Sequence, residues 1–165
     1  MSVVERRIAV PGHDAIEETF VTITVAQQLC GIPVLSVRDV LTSPALAHIP
    51  LAPVEVAGSL NLRGRIVTAI DLRRRLGFPP ATGEAVCTSV VVERHGEFYS
   101  LIVDEVGDVL TLRDTDREAP PSTLPPRFRS FAQAVFRLPQ GLLVALDVPA
   151  VTAVEHDGPD ERDIA

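Results

Sequence analysis

Hydrophobic and polar residues alternate along most of this chain with the period of two that a β-strand imposes. From Thr19 to Val25 the order Thr-Phe-Val-Thr-Ile-Thr-Val sets Phe20, Thr22 and Thr24 against Val21, Ile23 and Val25. That pattern predicts a β-branched strand, half-buried through one apolar face. A second strand follows over roughly 29–35. Val37, Val40 and Leu41 then recur at helical spacing, with Arg38 and Asp39 exposed, so one or two helical turns are expected over 36–41. Pro44, Pro50 and Pro53 break regular structure over 42–57. Residues 60–65 lead through a tight turn into an apolar strand over 66–70, and Gly64 can take the positive φ such a turn needs. Asp71 to Gly77 predicts a short helix. Asp71 caps its free N–H groups, Gly77 lies just past its end, and Arg73, Arg74 and Arg75 face solvent or a partner.

The second half reads as strands over 86–93 and 98–103, joined at Arg94-His95-Gly96-Glu97, and a further strand over 106–112. A proline-rich loop spans 120–126, and a hairpin of 131–138 and 142–148 turns at Pro139-Gln140-Gly141. An internal echo ties the halves together. In 62–72 and again in 138–148 a turn glycine, Gly64 or Gly141, precedes an apolar strand that ends in Ala-(Ile/Leu)-Asp-(Leu/Val). Residues 20–39 and 88–108 correspond more loosely. Two similar small β units explain this, and short even strands separated by turns point to barrels or a sandwich.

A chain of 165 residues holds one ordinary domain or two small ones that need each other to bury a core. With 46% hydrophobic and 22% charged residues it is globular rather than disordered. Aromatics make up only 4%, and the net charge is -7, so neither stacking platforms nor phosphate-binding surfaces for nucleic acid are expected. Five acids and one base within 155–163 carry -4 of that charge, so the body is close to neutral. Neither a signal segment nor a membrane-spanning apolar run is present, which predicts a cytoplasmic protein without direct membrane insertion. Cys30 and Cys87 read as reduced, buried thiols. The four histidines, His13, His48, His95 and His156, show no metal-ligand spacing, and no nucleophile elbow, phosphate loop or zinc-protease motif occurs. No catalytic residue, metal or cofactor is expected.

The positive signal is the stretch 58–73, Gly-Ser-Leu-Asn-Leu-Arg-Gly-Arg-Ile-Val-Thr-Ala-Ile-Asp-Leu-Arg. It resembles the most characteristic segment of CheW-like domains. Val37-Arg38-Asp39-Val40, the segment 103–110 and the strand 142–148 agree in order and spacing. The resemblance covers about 17–153, between an N-terminal tail (1–16) and an acidic C-terminal tail (154–165). It implies an all-β fold with minor helix: two packed five-stranded SH3-like β-barrels, divided near 83–86. It also implies a non-enzymatic adapter with two partners, the regulatory domain of a CheA-type histidine kinase and the cytoplasmic tip of a chemoreceptor (a methyl-accepting chemotaxis protein), at receptor arrays on the inner face of the membrane. The family's coupling positions fall on Val37, Asp39, Gly58 and Arg63, with Asn61 and Gly64 shaping the turn. Arg63 can then pair with Asp39 across the groove and reach a partner carboxylate. The chain departs from the family in having Asp39 where Glu is usual, and in lacking the glycine pattern common over 127–132. Two other readings stand beside the adapter: a CheW-like regulatory module that binds the kinase without receptor coupling, and a protein that binds a small ligand in the groove between the barrels.

Overall fold

The computed structural model describes residues 16–81 and 87–154, so most of both tails and the expected division near 83–86 lie outside the described residues. The β-branched, alternating segments all become strands. In chain order they are β1 (Glu17–Val25), β2 (Gln28–Pro33), β3 (Val37–Thr42), β4 (Val56–Leu62), β5 (Arg65–Asp71), β6 (Thr88–Arg94), β7 (Glu97–Val103), β8 (Glu105–Arg113), β9 (Ala132–Leu138) and β10 (Gly141–Leu146). Three short helices punctuate them: α1 (Leu72–Leu76), α2 (Pro126–Arg129) and α3 (Val148–Thr152). Asp71 caps α1 by accepting from the Arg73 and Arg74 N–H groups, and Gly77 ends it in the left-handed conformation at φ 93°, both as the sequence predicts.

Two five-stranded sheets form, in the orders β8-β1-β2-β10-β9 and β3-β6-β7-β5-β4. These are two SH3-like barrels, all-β with minor helix, as the resemblance implies. They interleave in sequence. After β2 the chain crosses, through a 3-10 turn at Val34–Ser36, into the second barrel. After β7 it crosses back at Asp104 into β8 of the first. A cut near 83–86 would therefore divide both sheets rather than separate the barrels. The echo noted in the sequence is structural: β5 pairs parallel with β7, and β10 pairs parallel with β2.

Most of the buried apolar side chains fall into three clusters. Phe20, Phe136 and Leu143 fill the first barrel, while Leu60, Val67 and Ala69 fill the second. Between the barrels lies a larger core that draws Ile23, Cys30 and Ile32 from one sheet and Ile70, Val90 and Leu101 from the other. β1 is consequently not half-buried as expected: Phe20, Val21, Thr22 and Ile23 are all buried. One face fills its own barrel and the other meets the sister barrel.

Three further expectations are corrected. Residues 37–42 form a strand, β3, paired with β6, not helical turns. A register break between Val37 and Asp39 leaves Arg38 as the extra residue of a bulge. Two of the three α1 arginines are not on a solvated face, since Arg73 is ion-paired to Asp104 and Arg75 hydrogen-bonds the end of α3, whereas Arg74 stays half-exposed beside Asp71. The last strand stops at Leu146, because Asp147 caps α3 through the Ala150 N–H. Cys30 is buried, with its thiol pushed up to about 12 by burial, and Cys87 is only half-buried; both are free.

Candidate functional site

The two-residue connection between β4 and β5 places Arg63 and Gly64 both at positive φ, 55° and 85°. Such turns carry the twist that matches two antiparallel strands. Asn61 braces it, its side-chain oxygen accepting from the Gly64 N–H at 2.9 Å. The turn projects the Arg63 side chain into solvent at 76% exposure, and its Nη2 donates to Asp39 Oδ2 at 3.2 Å. Asp39 is more sheltered, and its other oxygen accepts from the Val40 N–H at 2.8 Å. Half of this pair is therefore fixed to the sheet while the guanidinium keeps free donors for a partner.

Val37 and Gly58 sit differently. Val37 is half-buried and packs against the shared core, just beyond the first crossover. Gly58 is buried at φ 151°, and a side chain there would meet the Ala47 carbonyl oxygen at 2.5 Å. That closeness serves the bridge in which Ala47 and Ser59 exchange backbone hydrogen bonds. The structure thus brings Asp39, Asn61, Arg63 and Gly64 together at one surface, sets Val37 at its inner edge, and places Gly58 beneath the loop that follows β3.

Two exposed apolar side chains were not singled out from sequence: Leu35 in the first crossover, 86% exposed, and Ile66 in β5, opposite Asn61, 68% exposed. Both lie in apolar stretches, where period alone assigns them to the core. Val40, beside Asp39, is exposed as well. At the hairpin tips an open depression of about 280 Å³ is walled by Arg65, Ile66, Phe98 and Tyr99, with the Arg65 guanidinium 4.4 Å above the Phe98 ring. Among the described residues no three His, Cys, Asp or Glu side chains gather as a metal site. Nor is any described helix long and apolar enough to cross a membrane.

The chain is thus built as two interleaved SH3-like barrels that share a core, with the exposed Arg63–Asp39 ion pair carried on the second barrel. A model of the CheW-like domain matches residues 19–155, and the chain belongs to that family. It is 28% identical over 125 residues to a probable chemotaxis protein CheW of Rhizobium etli, covering 76% of this chain and 80% of that one. To the chemotaxis protein CheW of Rhizobium meliloti it is 28% identical over 130 residues, covering 79% and 83%. The scaffolding protein TtCheW from Thermoanaerobacter tengcongensis shares the fold at a TM-score of 0.76, with 24% identity over 85% of this chain and 95% of that one. These relatives are named as chemotaxis and scaffolding proteins, not as enzymes, and the family places the chain in chemotaxis as an adapter.

Proposed function

We propose that this chain is a non-catalytic adapter that binds a chemoreceptor tip and the regulatory domain of a CheA-type histidine kinase at once, in the cytoplasm at receptor arrays. The observation that carries this reading is the Arg63–Asp39 pair, exposed on the guanidinium side, in a barrel that also leaves Val40 and Ile66 unburied and follows the exposed Leu35 of the crossover. Exposed large apolar side chains around a charged group mark a docking surface. A receptor's helical hairpin would lay its apolar anchors between the barrels, with Arg63 choosing the register through a carboxylate. The kinase's regulatory domain, itself built of similar barrels according to the resemblance, would meet this chain barrel to barrel. Val37 sets the inner wall of the docking surface, Asn61 and Gly64 hold the turn, and Gly58 acts from beneath by seating the loop that follows β3.

Adaptation of this kind transmits a signal only if the two receptor states bind with different affinity, because equal affinity shifts no equilibrium. The test is a calorimetric titration against the host's chemotaxis-type kinase, intact and with its C-terminal regulatory domain deleted. Binding that disappears with the deletion supports the adapter. Binding to neither form sinks it and brings a small ligand between the barrels forward. Binding to the kinase alone, with no effect of receptor on kinase activity, would instead make the chain a regulatory module.

A further inference from the structure

The internal duplication makes α1 and α3 counterparts. Each follows an aspartate cap, Asp71 or Asp147, at the end of a strand that pairs in parallel. Matching the two caps sets Arg73 against Pro149 and Arg75 against Val151. The helices have diverged at the positions that reach across to the other barrel.

Arg73 grips the second crossover. Its Nε donates to Asp104 Oδ1 at 3.0 Å and its Nη2 to Asp104 Oδ2 at 2.8 Å. The same Oδ2 accepts from the Ala26 N–H at 2.8 Å, in the β1–β2 turn of the first barrel. One carboxylate therefore ties a helix of the second barrel to a turn of the first. Arg75 donates to the carbonyls of Ala150, Val151 and Ala153 at 2.9, 2.9 and 3.2 Å, at the C-terminal end of α3 where a cation is favoured. Its guanidinium lies 4.7 Å above Phe131. Beside it Glu55, from the second barrel, reaches Arg127 of α2 at 3.6 Å. The first crossover is built otherwise. Arg38 there donates to the Leu35 and Val37 carbonyls and to Glu93, all of them in the crossover itself or the second barrel.

We propose that α1 is a one-sided clasp. It fixes the barrels against each other at the second crossover and leaves their spacing at the first crossover, beside Leu35, Val37 and the Asp39–Arg63 pair, free to change when something docks there. Apolar packing in the shared core is non-directional and sets no angle by itself, whereas a forked guanidinium on a carboxylate does. Small sliding of packed elements about a fixed edge is an established route for passing a local contact to a distant surface. The consequence for signalling rests on the adapter reading; the clasp itself does not.

The test needs no partner, so its failure is distinct from a failure of that reading. Spin labels are placed at Thr42→Cys in β3 and Gln133→Cys in β9, both exposed, in a Cys87→Ser background that leaves only the buried Cys30. The label-to-label distance distribution is measured by pulsed electron spin resonance. With Arg73 and Arg75 intact the distribution is narrow. In Arg73→Gln/Arg75→Gln it is expected to be at least twice as wide while the circular dichroism of the strands is unchanged, and Arg73→Lys, which keeps the charge but not the fork, gives an intermediate width. A folded double variant as narrow as its parent overturns the proposal. Should the double variant not fold, Asp104→Asn is measured in the same way, and its failure to fold would overturn the proposal too, because the contact would then be required for the fold itself.

Discussion

Arg63 and Gly64 share a turn but answer to different physics. Gly64 is there for its backbone: φ 85° is strained for any residue with a branched side chain. Gly64→Val is therefore expected to lower stability by about 1–3 kcal/mol, read in urea titration, although open space surrounds the position and no clash contributes. Unchanged stability would refute the backbone argument. Arg63 is there for its side chain. Its ion pair with Asp39 is solvent-exposed and contributes ~0–1 kcal/mol to the fold, so Arg63→Glu should leave the unfolding midpoint nearly unchanged. The same variant should abolish receptor-dependent control of kinase activity, and a folded Arg63→Glu chain that still couples would remove Arg63 from the site. The glycine was legible in the sequence because a tight turn between apolar strands demands positive φ somewhere. Arg63's own positive φ was not, since only the two-residue register between Leu62 and Arg65 requires it. The Asp39–Arg63 partnership came from the family resemblance, not from spacing, because 24 residues separate the two.

At the scale of elements, β3 and α1 show where local pattern stops being informative. The bulge at Arg38 and an outward-facing Val40 place apolar residues three apart, which imitates a helix in what is a strand. Arg73 and Arg75 of α1 read as solvated because their acceptors lie far along the chain, Arg75 and the Val151 carbonyl being 76 residues apart. Asp104, which receives Arg73, has a testable pH signature. Burial alone would raise its carboxyl, but hydrogen bonds from Arg73 and the Ala26 N–H outweigh burial and hold it below the ordinary carboxylate range. A depressed folded pKa contributes stability that is present above the unfolded value, roughly 3.9, and is lost as pH falls through the folded value. Asp104→Asn is accordingly expected to cost about 2 kcal/mol at neutral pH. Relative to the parent, that difference should shrink steadily below about pH 4 in acid-unfolding experiments. A difference independent of pH would show that the carboxylate's charge is not what holds the crossover.

Over the whole molecule, the duplicated pattern, the β content and the capped helix between the halves were readable because each is written in consecutive residues. The interleaving was not. The pairing of β10 with β2 joins Val144 to Cys30 across more than a hundred residues, and nothing in either strand's pattern names its neighbour. The chain crosses between barrels twice, and the core they share draws side chains from both sheets. The function proposed for this chain is to hold receptor and kinase together. The most direct measurement is co-sedimentation of the host's chemotaxis-type kinase with membranes bearing its chemoreceptor, with and without this protein. The kinase is expected to pellet with the membranes only when the protein is present, and Arg63→Glu is expected to remove most of that recruitment. Recruitment that is the same in its absence, or that survives Arg63→Glu in full, would contradict the proposed function.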